Sequence, residues 1–248
     1  MNTLEDKVAL VTGAAIRIGR EIALALARRG CDIVIHYRES EIEAESLADE
    51  IREAGRQAWL AQSDLSRPQA AAALMKNAWE QAGWVDILVN NAATFQRASL
   101  AETDPEDFED TMRINAIAPV ILAQTMSALA AQCEILPDDY AGRIINILDR
   151  DIARSGAGRL PYWLSKKTLE SATLGLAAEL APRFAVNAVA PGPALSSDIP
   201  ELKEPAGALP LGVRPLPSDI AAAVIFLAES TAITGQTLFV DGGQHMAR

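Results

Sequence analysis

The sequence predicts a single α/β domain built on a doubly wound parallel sheet. Three observations carry that prediction. Short apolar, β-branched runs recur along the chain, and a stretch with helical periodicity follows nearly every one. Glycines close the first three helical stretches, at Gly30, Gly55 and Gly83. Finally, no linker, internal repeat or low-complexity tract divides the 248 residues, so residues 1–248 read as one domain.

Taken in order, Val8–Val11 has the continuous apolar character of a buried parallel strand. A helix over 17–29 follows, then a strand over 33–35 and a polar amphipathic helix over 39–54. The next strand spans 57–61, the helix after it 68–82, and the fourth strand 87–89. A long helical stretch over 105–133 is expected to bend near Pro119, because proline lacks an N–H and clashes with the preceding turn. Strand five covers 143–148, and Pro161 opens a helix reaching Ala181, a position where its missing N–H costs nothing. Strand six spans 185–190. The proline-rich segment 191–217 reads as an irregular excursion with at most one short helix. A helix capped by Ser218 and a strand over 237–240 precede Asp241-Gly242-Gly243.

Half of the chain is hydrophobic and aromatic residues are few, so Ala, Leu, Ile and Val must fill the core. A formal charge of −11 argues against nucleic-acid and anionic-membrane partners. Cys31 and Cys133 are too few for a disulfide framework, and no Cys/His cluster has metal-ligand spacing, so no metal is expected. The N-terminus does not read as a signal peptide, and no uninterrupted apolar span is long enough for a bilayer, which makes a cytoplasmic protein the expectation.

In such sheets ligands bind outside the carboxyl ends of the strands, and the unusual residues cluster there. Thr12 to Gly19 join strand one to helix one, with Gly13, Ile18 and Gly19 where a backbone must approach a pyrophosphate. Arg17 occupies the place of a middle glycine and adds a fixed positive charge. Strand two ends in His36-Tyr37-Arg38-Glu39-Ser40. His36, Arg38 and Ser40 suit a ribose 2′-phosphate, which selects NADP(H); a solvated polar loop is the alternative, and Glu39 is expected to face solvent. Asp64, followed by Leu65, either accepts from an adenine amino group or caps the next helix. Asn91 and Ala92 leave room for a ligand near the backbone. Phe95 is either a core plug or a face for a flat ring. Asn115 lies in a stretch of low polarity, where an unpartnered amide is costly, so it is expected in a buried network or on a structural water. Tyr162 and Lys166 stand four residues apart and therefore share one helix face, with Asp149 at a strand end upstream. Lys166 is expected to lower the pKa of Tyr162, making it a useful acid.

Together, the Thr12–Gly19 loop, Asn90-Asn91-Ala92, Asn115, Tyr162-x-x-x-Lys166, Pro191-Gly192 and Asp241-Gly242-Gly243 resemble the short-chain dehydrogenase/reductase family over essentially the whole chain. The resemblance implies a Rossmann-type sheet, an NADPH/NADP+ cofactor contacted also by Pro191 and Gly192, and an Asn115–Tyr162–Lys166 catalytic group. In it Lys166 holds the nicotinamide ribose and Asn115 a proton-returning water. Most members carry Ser where this chain has Asp149 and Gly where it has Arg17. Those two residues, with His36-Tyr37-Arg38 and Phe95, resemble the pteridine reductase branch, including bacterial dihydromonapterin and dihydrofolate reductases of this fold. That branch implies a pterin or folate substrate held between Phe95 and the nicotinamide, touched by Arg17, and protonated through Asp149 and Tyr162. Ala194 departs from it, standing where a cofactor-contacting serine is expected, with Ser196 and Ser197 close by. A carbonyl reductase of the 3-ketoacyl type and a non-catalytic nucleotide-binding regulator are the alternatives. The helices from Pro105 and Pro161 carry more apolar residues than one buried face needs, and the family habit is a homotetramer; the pteridine reductase branch implies that the tail 245–248 can complete a neighbour's site.

Overall fold

The computed structural model describes residues 3–137, 140–154, 157–194 and 209–247. Gly156, Ser196, Ser197, Arg248 and most of the proline-rich segment lie outside the described residues. Seven parallel strands form one sheet in the order β3-β2-β1-β4-β5-β6-β7. They are β1 (Val8–Val11), β2 (Asp32–Tyr37), β3 (Ala58–Gln62), β4 (Ile87–Asn90), β5 (Gly142–Ile147), β6 (Phe184–Pro191) and β7 (Thr237–Val240). The helices are α1 (Arg17–Arg28), α2 (Glu41–Glu53), α3 (Ala70–Ala82), α4 (Pro105–Met112), α5 (Ala118–Gln132), α6 (Leu160–Leu180) and α7 (Pro217–Glu229). The strand order reverses between β1 and β4, and the carboxyl ends of these two strands flank the crevice.

The strands are apolar on both faces because each face meets a helix layer. Ala9, Val11, Ile33, Ile35, Ile87 and Val89 join α1, α2 and α7 in one core. Val8, Leu10, Val34, Leu88 and Ile144 pack on the other face with Leu74 and Met75 of α3 and Leu122 and Met126 of α5. The period of two along each strand separates these two sets. Taken together, Pro105–Gln132 is long and apolar enough to span a membrane by length and composition alone. Its apolar residues are spent inside the fold, where Leu122, Ala123, Met126 and Ala130 are fully buried.

Three boundaries carry detail beyond the expectation, and the first bears out the break near Pro119. The 105–133 stretch is interrupted by a π turn over Arg113–Ile117, just before Pro119 in the first turn of α5. Pro119 has no N–H for the carbonyl four residues back, that of Asn115, and the chain widens there; the Ala118 N–H reaches Arg113 O instead. The second concerns α7 and is a correction: Ser218 does not cap it. Pro217 occupies the first turn, and Asp219 reaches back to accept from the Leu216 N–H at 2.8 Å. Third, α3 begins at Ala70, after a separate turn over 64–67.

A line of amides crosses the sheet beneath the crevice. Asn90 Nδ2 donates to Asn146 Oδ1 at 2.8 Å, and Asn146 Nδ2 donates to Thr173 Oγ1 of α6 at 2.9 Å. Asn146 and Asn90 are both buried. Asn146→Ala strips a partner from each neighbour, so it is expected to cost about 2–3 kcal/mol in urea unfolding, the penalty of buried unsatisfied groups.

Candidate active site

The crevice begins at the turn after β1. Thr12 Oγ1 accepts from the Asn91 and Ala92 N–H groups at 2.9 and 3.0 Å and donates to Val89 O, locking the ends of β1 and β4 together. Asn91 Nδ2 adds bonds to the Thr12 and Gly13 carbonyls. Gly13 has φ +62°, and a Cβ there would lie 3.1 Å from the Ala92 backbone. A Cβ on Gly19 would collide with the Gly13 carbonyl, so helix α1 can pack on this loop only through a glycine. Ile16, at the N-cap of α1, offers no side-chain hydrogen bond, leaving the helix N–H groups to a ligand. Arg17 takes φ +56°, the left-handed region a glycine tolerates freely, at a cost of roughly 1 kcal/mol.

A cleft of about 390 Å³ opens above this loop. Gly13, Arg17, Ile18, Gly19, His36, Tyr37, Arg38, Ser40, Asp64, Leu65, Asn91 and Ala92 all line it. Sequence positions spread over four strand ends thus share one cavity.

Their individual roles differ from expectation in several places. His36 is buried, and its Nδ1 accepts from the Gly13 N–H at 3.0 Å. Its Nε2 is 3.1 Å from Ser63 O, so this nitrogen carries the proton and donates to that carbonyl. Burial pushes its pKa down to about 4. His36 is therefore neutral and braces the loop, and the expectation of a cationic contact to a 2′-phosphate is corrected. Arg38 is exposed and pairs with Glu39 at 3.0 Å, and Glu39 faces solvent as expected. Ser40 makes no capping bond to α2, so its hydroxyl points no hydrogen bond at the helix. Asp64 binds the N–H and hydroxyl of Ser66 at 3.1 and 2.8 Å, and these bonds hold its carboxyl below the usual range. It caps a turn rather than α3, while still bordering the cleft. Pro191 ends β6 and Gly192 follows it next to Asp241, where a Cβ on Gly192 would come within 2.7 Å of the Asp241 Cα. Ala194 is buried behind them.

Beyond Ala92 the cleft wall runs to Thr94, and the reacting groups follow. Tyr162 O–H donates to Asp149 Oδ2 at 2.9 Å. Lys166 Nζ donates to Ile147 O at 2.7 Å and lies 5.8 Å from the Tyr162 ring centre. Phe95 is 48% exposed and meets the Tyr162 ring edge-on at 4.7 Å, so it is a platform at the mouth and not a core plug. Asn115 is fully buried; it accepts from the Thr94 N–H at 2.8 Å and donates to Thr94 O and Ser165 Oγ at 2.9 and 3.0 Å. Its amide is consumed by protein partners. Ser165 Oγ in turn donates to Tyr162 O at 2.7 Å, so Asn115 fixes the catalytic helix turn and the loop at Thr94 together.

Burial governs the electrostatics. It raises the Asp149 carboxyl above its ordinary 3.8, and the neighbouring Asp151 charge adds to this, against hydrogen bonds from Asp151 N and Tyr162 and the charge of Lys166. It lowers Lys166 to about 8. Burial and the Asp149 charge both push the Tyr162 phenol well above 10. The expectation that Lys166 lowers it is corrected: the nearest charge is a carboxylate accepting the phenolic proton, which favours the neutral phenol.

Thr12, Thr94 and Ser165 are site-building residues that sequence reasoning did not single out. Ser165 lies inside Tyr162-x-x-x-Lys166, yet nothing in the pattern reveals that its hydroxyl meets Asn115 fifty positions away. Among the described residues no three His, Cys, Asp or Glu side chains converge on a metal position.

A helix N-terminus facing a glycine cradle, cationic Arg17 and Arg38, and a phenol beside a lysine define a nicotinamide-dinucleotide oxidoreductase. The Enoyl-(Acyl carrier protein) reductase family model matches residues 13–245. The solved FolM alternative dihydrofolate reductase 1 from Brucella canis, complexed with NADP, superposes with a TM-score of 0.90 at 35% identity, covering 100% of this chain and 97% of that one. The 2-dehydro-3-deoxy-D-gluconate 5-dehydrogenase of Dickeya dadantii is 32% identical over 97% of this chain and 96% of its own. The 3-oxoacyl-[acyl-carrier-protein] reductase FabG of Staphylococcus epidermidis is 33% identical over 97% of this chain and 100% of its own. The chain belongs to the short-chain dehydrogenase/reductase family and is an NADP-dependent oxidoreductase.

The His36 brace has a pH signature. Its folded pKa of about 4 lies below the ordinary 6.5, so the unfolded chain binds the proton more readily. The stabilisation is complete above pH 6.5 and is lost as pH falls toward 4, a span worth on the order of 3 kcal/mol. Urea unfolding of His36→Gln across that window is expected to show a shallower acid slope than wild type; identical slopes would mean His36 is not held neutral.

Proposed function

We propose that the chain is an NADPH-dependent pteridine reductase acting on dihydropterin or dihydrofolate-like substrates. The observation that carries this reading is the Tyr162–Asp149 hydrogen bond at the end of β5. A ketone reductase needs a donor aimed at the carbonyl oxygen, where negative charge develops. An ionised carboxylate in that place repels the oxygen. A reduced pterin presents ring N–H groups that a carboxylate accepts, and its ring nitrogen must gain a proton.

Bound NADPH supplies the hydride. The chain's own residues supply the rest. Phe95 offers its exposed face to the pterin ring, opposite the nicotinamide. Asp149 accepts the Tyr162 hydrogen bond as a carboxylate, and burial raises its basicity so that it relays the phenolic proton to the substrate nitrogen. Lys166 holds the nicotinamide ribose hydroxyls and balances the charge left on Asp149. Arg17 serves the cofactor phosphates and the pterin carbonyl from its place on the cleft wall. Asn115 acts chiefly as a clasp, because its amide already has three protein partners. Arg38 and Ser40 bind the 2′-phosphate, and Pro191 with Gly192 borders the nicotinamide.

Carbonyl reduction of the 3-ketoacyl type is the second reading, favoured by the activity named for the Staphylococcus relative. We further infer a cytoplasmic homotetramer. Ile117 and Leu174, exposed on the π turn and α6, are apolar residues that a two-fold pairing of these helices would cover. His245, bonded to Asp241 at 2.9 Å and stacked on Phe239, holds the tail in shape at the domain edge.

The test follows NADPH absorbance with dihydropterins and a panel of ketones and ketoacyl thioesters. Wild type is expected to prefer dihydropterins. Asp149→Ser and Tyr162→Phe are each expected to lose about 10²–10⁴-fold in kcat, the usual share of a proton donor, while NADPH binding by fluorescence persists. Normal dihydropterin reduction by Asp149→Ser, or a wild-type preference for ketones, selects the carbonyl reductase instead.

A further inference from the structure

A second cavity, of about 290 Å³, shares none of its lining residues with the dinucleotide cleft. Its walls come from the segment after Phe95 and the segment leading into α6. Ala98 N–H donates to Gly158 O at 3.1 Å, and Ala98 forms a parallel bridge with Arg159, three residues before Tyr162. The cavity is thereby fixed to the same two elements that present Phe95 and Tyr162.

Three charged groups lie at this cavity, and two are committed. Arg159 is ion-paired with Asp151. Glu102 accepts from the Ser99 N–H and hydroxyl at 3.1 and 2.6 Å, which ties down its own loop. Arg97 is different. Among the described residues no carboxylate lies within ion-pair reach of it. Its guanidinium sits 6.0 Å from the Phe95 ring centre, and that ring is 4.7 Å from Tyr162. In a chain of net charge −11 the general field repels an anion, so a local uncommitted arginine is what an anionic group needs in order to dock here.

We propose that this cavity is a tail subsite that takes a carboxylate carried by the substrate, with Arg97 as its main contact. This rests on the pterin reading above. A ring seated on Phe95 with its reacting edge at Tyr162 directs its substituent past Arg97 into the cavity, which has room for an amino-acid-sized group. Arginine's planar fork matches a carboxylate with two parallel N–H donors, and the exposed side chain is free to adopt that geometry. The chain would then favour folate-like substrates, whose tails end in carboxylates, over pterins with neutral hydroxylated tails.

The experiment measures kcat/KM for dihydrofolate and for dihydrobiopterin, whose tail is neutral, in wild type, Arg97→Gln and Arg97→Lys. Wild type is expected to favour dihydrofolate. Arg97→Gln is expected to reduce that preference about tenfold through the KM for dihydrofolate, the worth of one charge-assisted contact, and Arg97→Lys to keep most of it. An unchanged ratio in Arg97→Gln, or a wild type that reduces dihydrobiopterin and ignores dihydrofolate, overturns the subsite and leaves the pterin reading standing. A wild type that reduces neither substrate overturns both.

Discussion

The site depends on one part-buried contact, the hydrogen bond from the Tyr162 phenol to the Asp149 carboxylate, set against the buried Lys166. In solution these three groups would titrate independently. Burial makes each charge costly, so the carboxyl moves toward its acid, the ammonium toward its amine and the phenol stays neutral. The result is a cluster in which the phenolic proton is shared with a carboxylate whose basicity burial has raised. That is the property needed to protonate a nitrogen of low basicity, and it differs from the polarising hydroxyl a ketone requires.

Holding that contact is the work of the fold around it. Asp149 leaves the end of β5, and its other oxygen accepts from the Asp151 N–H at 2.8 Å, which fixes the carboxylate plane. Tyr162 is held through its own carbonyl by Ser165, and Ser165 by Asn115 at the π turn. The widened turn follows from Pro119, so a helix defect places the amide that clamps the catalytic turn. On the cofactor side His36 serves a similar purpose. A neutral imidazole, accepting from Gly13 and donating to Ser63, replaces water under the phosphate loop.

Much of this was legible in the sequence. The alternation of apolar strand and helix gave the layers, because both faces of every central strand had to be covered. Proline at the start of α4 and α6 marked their entries correctly, with Asp104 capping α4 by accepting from Glu106 N–H at 2.8 Å. Tyr162 and Lys166 were brought to one cluster by helical spacing alone. What remained hidden was long-range. No local pattern shows that His36 is buried and neutral, since the same residue on an exposed loop would be a cation. The Asp64 bonds to Ser66, the Asp219 cap of α7 and the Asn115–Ser165 contact each need coordinates, because competing partners satisfy the same groups equally well on paper.

The central claim is that Asp149 is held toward its protonated form by burial against Tyr162. A ¹³C NMR titration of the Asp149 carboxyl, assigned by comparison with Asp149→Asn, measures this directly. The account requires a carboxyl that ionises above the ordinary 3.8 and shifts further upward when Lys166 is replaced by Met, because the stabilising ammonium is then gone. A carboxyl that ionises at or below 3.8 in the folded protein would contradict it, leaving Asp149 a fixed anion with no proton to give.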